Sequence, residues 1–151
     1  MEKSNNVDAG VEALQKKLGK QKLRGIVYLR TNHWGDSTLA QQQLCENFRY
    51  QNNIEVVSEY ADVGEHENPL GISESQGFSQ VLSQCRDHKN GIDVVIVASR
   101  NRLGKNTVEY LSCKMALAKE GVDILSAADT ETIDSSMGDI YWAINHSEEA
   151  V

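Results

Sequence analysis

Long apolar runs, a surplus of positive charge and paired cysteines are all missing from this sequence, and each absence removes a class of function. No stretch approaches the ~20 apolar residues of a membrane span, and none near Met1 has the apolar core of a signal peptide. A cytoplasmic protein without a membrane partner is therefore expected. The cysteines number three. Cys45, Cys85 and Cys113 are odd in number and fit none of the zinc spacings. Each falls on or beside the apolar stripe of an expected helix, which points to buried thiols rather than disulfides or ligands. No cofactor is expected.

Positive charge is scarce overall but not evenly so. The formal net charge is −7, which is unfavourable for a chain that must hold phosphates through Lys and Arg. Residues 1–25 nevertheless carry six basic and three acidic side chains, leaving the remainder near −10. Lys16, Lys17, Lys20, Lys22 and Arg24 form a local basic cluster. A solvated helix face is the plain account of it, and weak phosphate contact the alternative.

What is present suits one folded domain. A chain of 151 residues has room for a single sizeable core. Hydrophobic and charged shares of 40% and 25% match a folded chain rather than a disordered one. There is no internal repeat and no low-complexity segment.

After a polar start over residues 1–7, Val11, Leu14 and Leu18 have helical spacing over 8–22. A strand is expected over 26–30, then a helix over 37–51 with Gln41, Leu44, Cys45 and Phe48 on one face. A second strand over 54–60 leads to a loop holding the only proline, Pro69. Phe78, Val81, Leu82 and Cys85 mark the next helix. The β-branched run 94–98 suits a central parallel strand buried on both faces. A helix near 107–119 aligns Val108, Leu111, Met115 and Ala118, with Gly121 as its C-terminal cap. A fourth strand covers 122–126, and a last helix starts near Met137. This alternation predicts an α/β fold with a mainly parallel central sheet of about four strands flanked by helices. In such sheets ligands bind beyond the carboxyl ends of strands, where crossovers diverge. Arg30 to His33 and Ser99 to Lys105 sit at two such ends.

Those two ends also carry a likeness. Tyr28-Leu29-Arg30-Thr31-Asn32 and Asn101-Arg102-Leu103-Gly104-Lys105 resemble the catalytic core of the serine recombinases (resolvases and invertases). In that family the first strand ends Tyr-x-Arg-x-Ser, and the third leads into Asp-Arg-Leu-x-Arg. Gln41 lies nine residues after Asn32, as in the family's Ser…Gln pattern. Ser37, Ala118-Lys119-Glu120-Gly121-Val122 and Ile133-Asp134-Ser135-Ser136-Met137-Gly138 fall in the family's order. The resemblance spans about residues 25–146. It implies a resolvase-like three-layer domain over 25–151 with a shortened last helix, preceded by a partly disordered N-terminal extension over 1–24 with a short helix. No separate DNA-binding domain is expected.

The resemblance implies phosphate or DNA contacts at Arg30, Arg102, Lys105 and Gln41. It also exposes departures. Asn32 occupies the nucleophile position, and a carboxamide cannot form a phosphoserine-type link. Asn101 occupies the position of the carboxylate that orients the arginines, and Lys105 cannot bind bidentately as arginine does. The family's Arg-Pro-Gly segment falls at Ser75-Gln76-Gly77-Phe78, so another arginine is missing. No catalytic residue set is intact. Thr31 should face away from the site by strand alternation, and Ser37 and Ser99 lack an evident general base. Trp34 is expected to pack, with base stacking by His33 and Trp34 as the alternative.

The reading is therefore a recombinase-derived domain of a mobile element or prophage, unable to cleave DNA. Its expected partners are DNA, bound weakly or indirectly, and a second subunit, either in a homodimer or with an active recombinase. A decayed relic is a variant of the same reading. The competing reading is a non-enzymatic α/β signalling or interaction module for an anionic ligand. In the plainest account Arg30 and Arg102 merely pair with Asp36, Asp62 or Asp129.

Overall fold

The computed structural model describes residues 8–31, 38–63, 75–103 and 107–128. Eight main elements alternate along them. They are α1 (Ala9–Leu18), β1 (Leu23–Arg30), α2 (Thr38–Gln51), β2 (Ile54–Asp62), α3 (Gln76–Arg86), β3 (Val94–Val97), α4 (Thr107–Ala118) and β4 (Asp123–Ser126). The strands form one sheet in the order β2-β1-β3-β4, and every pairing is parallel. The chain leaves β1 toward β2 on one side and reaches β3 on the other, so the crossovers diverge between β1 and β3. The expected α/β fold is the observed one.

Two apolar layers sandwich the sheet. On one face Phe78, Val81, Leu82 and Cys85 of α3 and Tyr110, Cys113 and Leu117 of α4 pack on Ile26, Tyr28, Val95 and Val97. On the other, Val11 and Leu14 of α1 and Cys45 and Phe48 of α2 pack with Leu23, Val27, Leu29, Val94 and Ile96. β3 is buried along its whole length, as its β-branched run requires. Helix α1 is capped by Asp8, whose carboxylate accepts from the Gly10 N–H at 2.7 Å. It is pinned by the Asp8 N–H on Asn52 Oδ1 at 2.7 Å and by Lys20 on Asp93 at 2.9 Å.

Two helix faces differ from expectation. The stripe Val108–Leu111–Met115–Ala118 does not face the sheet; Thr107, Tyr110, Cys113 and Leu117 do. Val108 and Met115 are 60% and 56% exposed. The helix carries apolar residues on both sides, and Tyr110, Cys113 and Leu117 are the ones the neighbouring layer encloses. Leu44, expected on the α2 stripe, lies at its margin and is 42% exposed. Gly121 does close α4. Its φ of +76° is the left-handed conformation of a C-terminal cap, and the following Val122 N–H reaches Leu117 O at 3.1 Å.

All three cysteines are buried free thiols. Burial pushes Cys45 and Cys113 up from 9.0 to about 12, and Cys85 to about 11. In the unfolded chain these thiols ionise near pH 9, whereas in the fold they keep their protons. Their stabilising contribution is complete below pH 9 and disappears as pH rises through the folded values. The urea midpoint is thus expected to fall above pH 9, less steeply in Cys113→Ala. A flat profile would contradict the burial.

Candidate functional site

The site grows out of an irregularity in β2. Gly25 pairs with Val56 but Ile26 pairs with Ser58, leaving Val57 as an extra residue. In an unbroken strand Val56 and Tyr60 would share a face. Here Val56 packs with the α1/α2 layer and Tyr60 with the α3/α4 layer. The bulge turns the second half of β2 over. Asp62 therefore stands beside its register partner Arg30, on the face covered by α3.

Asp62 is the centre of the resulting cluster. Its Oδ2 accepts from the Tyr28 hydroxyl and from Ser75 Oγ, each at 2.7 Å, and from the Phe78 N–H at 3.2 Å. Its Oδ1 accepts from the Gly77 N–H at 2.7 Å. The carboxylate thus binds the free N–H groups of the first turn of α3, where the helix dipole favours negative charge. Arg30 Nη1 lies 3.8 Å from Asp62 Oδ2 and donates to the Tyr28 hydroxyl at 3.3 Å. The Tyr28 ring meets Phe78 edge-on, with centroids 5.6 Å apart. Burial, and then the neighbouring Asp62 carboxylate, hold the Tyr28 hydroxyl protonated far above its usual range. It serves as a hydrogen-bond donor, not as a phenolate nucleophile.

Gly77 allows α3 to approach this closely. A Cβ there would lie 2.7 Å from Asp62 Oδ2 and 2.8 Å from the Ala61 carbonyl. Gly77→Ala is expected to cost about 1–3 kcal/mol through forced repacking, measured by urea denaturation. A cost near zero would mean that α3 is free to shift.

Behind the cluster three predicted site residues meet at one point. The buried Gln41 accepts the Arg30 N–H on Oε1 at 3.2 Å and donates Nε2 to the Arg30 carbonyl at 2.9 Å. Arg102 Nη1 donates to that same carbonyl at 3.0 Å. Both ends of the Gln41 amide thus engage the backbone of Arg30, and the residue is 3% exposed. It positions the end of β1. Arg102 belongs to the 3₁₀ turn Arg100–Leu103, closed by its N–H on Ser99 O at 3.0 Å and anchored by the buried Leu103. Asn101 is exposed on that turn, and its Oδ1 accepts from the Ser99 hydroxyl. A neutral carboxamide is a poor base, so Ser99 gains no activation from it. Thr31 is buried, and its N–H donates to Asp62 O at 3.0 Å.

Asn32, Lys105, Ser37, His33, Trp34, Pro69 and the expected last helix lie outside the described residues. Asp62 was foreseen only as one of three possible arginine partners. Its place in the cluster depends on the bulge at Val57, which leaves no mark in the pattern of apolar residues. Among the described residues no three His, Cys, Asp or Glu side chains converge as metal ligands, and no helix is long and apolar enough to cross a membrane.

A family model described as the resolvase N-terminal domain matches residues 25–149. The chain belongs to the resolvase family. Three solved structures share its fold. The N-terminal catalytic domain of TP901-1 integrase is 20% identical with a TM-score of 0.68, covering 84% of this chain and 97% of that one. A resolvase family site-specific recombinase from Streptococcus pneumoniae is 22% identical with a TM-score of 0.67, covering 85% and 89%. The C-terminal catalytic domain of ISC1926 TnpA, an IS607-like serine recombinase, is 18% identical with a TM-score of 0.56, covering 81% and 80%. No curated protein matches the sequence. Helix α1 precedes the region matched to the resolvase family, yet it contributes Val11 and Leu14 to the core.

Proposed function

We propose that this resolvase-type domain binds DNA phosphate at the ends of β1 and β3 without cleaving the strand, and acts as a regulatory partner of DNA or of an active recombinase. The observation that carries the reading is the combination of retained cations with lost reactive groups in the segments that follow β1 and β3. Arg102 is fixed across the two strand ends by the Arg30 carbonyl, while Asn101 and Asn32 stand where the family resemblance calls for a carboxylate and a serine. Phosphodiester cleavage by a side chain needs an in-line nucleophile and a proton acceptor. Asn32 offers no hydroxyl, and Asn101 takes up the Ser99 hydroxyl as a neutral acceptor. Binding needs only positive charge, which Arg102 in the turn after β3 and Lys105, three residues later in the sequence, retain. A mobile element or prophage is the setting that fits such a domain.

The test is binding of a fluorescent duplex at low salt by the wild type and by Arg102→Ala, Lys105→Ala. Two phosphate contacts predict a loss of about tenfold in affinity between about 50 and 200 mM salt. The double variant should bind at least about tenfold more weakly at low salt and show a flatter salt dependence. A covalent protein–DNA adduct on a denaturing gel would overturn the non-cleaving reading. Equal binding by both proteins would overturn the site.

A further inference from the structure

Asp62 and Arg30 are held very unequally. Asp62 accepts four hydrogen bonds, two of them from backbone N–H groups of α3, and its side chain is 4% exposed. It is a fixed anion. A guanidinium carries five N–H donors. Among the described residues that of Arg30 makes one hydrogen bond, from Nη1 to the Tyr28 hydroxyl at 3.3 Å. Its ion pair with Asp62 is a single-atom contact at 3.8 Å rather than a bidentate fork. A pair built purely for stability would use the fork. Here the carboxylate is anchored elsewhere, and the arginine is drawn to it by charge and by one hydroxyl.

We propose that Asp62 is an internal counter-ion that withholds Arg30 from DNA phosphate, with the Tyr28 hydroxyl as the catch between them. The proposal rests on the phosphate-binding reading above and adds its regulation. The fixed carboxylate cancels much of the positive potential that Arg30 would present at the end of β1, and it repels an approaching phosphate. The crevice therefore binds more weakly than its two strand-end arginines would allow. An event that draws Arg30 away from Asp62 adds one phosphate contact. Tyr28 links the two groups directly: its hydroxyl donates to Asp62 Oδ2 at 2.7 Å and accepts from Arg30. Removing that hydroxyl loosens Arg30 while leaving the bonds of Ser75, Gly77 and Phe78 to Asp62 in place.

The experiment measures duplex affinity and its salt dependence for the wild type, Asp62→Asn, Tyr28→Phe, and each of these combined with Arg30→Gln, with circular dichroism to confirm folding. Asp62→Asn is expected to bind about tenfold more tightly at low salt, with a log–log salt slope steeper by about one contact. Tyr28→Phe should move the same way by a smaller factor, so the test stands even if Asp62→Asn does not fold. Both gains should vanish in the Arg30→Gln background. Unchanged affinity in the folded variants, with wild-type binding still lost in Arg102→Ala, Lys105→Ala, would overturn the counter-ion and leave the phosphate site standing. A gain that persists without Arg30 would also overturn it, because Asp62 would then act by its own charge alone. Absence of duplex binding in every variant would overturn both.

Discussion

Asp62→Ala is expected to lower the unfolding free energy by about 3–5 kcal/mol, the scale for breaking a buried ion pair from one side. Four hydrogen bonds end on the carboxylate, and all four are lost with it. The Gly77 and Phe78 N–H groups belong to the first turn of α3, where no intrahelical partner exists. Arg30 would be left as a charge whose side chain is 8% exposed, without its counter-ion. Domains of this size are stable by roughly 5–15 kcal/mol, so the variant should be marginal. Urea denaturation followed by circular dichroism would measure it. A loss below about 1 kcal/mol, the scale of an exposed pair, would show that water replaces the carboxylate and that the cluster does not hold α3 to the sheet.

The second large effect separates the two faces of α4. Leu117→Ala is expected to cost about 2–5 kcal/mol, because the side chain is fully enclosed between α4 and the sheet. Met115→Ala, two residues away and 56% exposed, should change stability by less than about 0.5 kcal/mol. The same denaturation curves would decide it. Similar costs at both positions would mean that the Met115 face is covered in solution.

That pair of residues also marks the limit of what periodicity can tell. Spacing identified every main element of the described region, because each buries an apolar stripe or a β-branched run of the right period. It pointed to the junction between β1 and β3 as the candidate site, and the strand order does make the crossovers diverge there. It chose the wrong stripe on α4. Val108, Leu111, Met115 and Ala118 repeat as regularly as Tyr110, Cys113 and Leu117, and only the neighbouring layer breaks the tie. Gln41 illustrates a subtler gap. Its position relative to Asn32 suggested the site, but only the fold reveals that its amide serves the backbone of Arg30. Asp62 was hidden for another reason. A bulge of one residue decides which face it occupies, and nothing in Val56-Val57-Ser58 announces the bulge.

Helix α1 has a consequence for how the chain comes to fold. It is made before its anchors, which lie far downstream in the sequence. The Asp8 N–H waits for Asn52, and Lys20 waits for Asp93. An isolated helix of ten residues is not stable in water. During synthesis this segment therefore lacks its full set of partners until β3 has emerged, and it docks after segments made later than itself. All strand pairings are parallel and bridge long sequence separations, which adds to the delay. A growing chain paused before residue 93 would present Val11 and Leu14 to chaperones rather than to its own core.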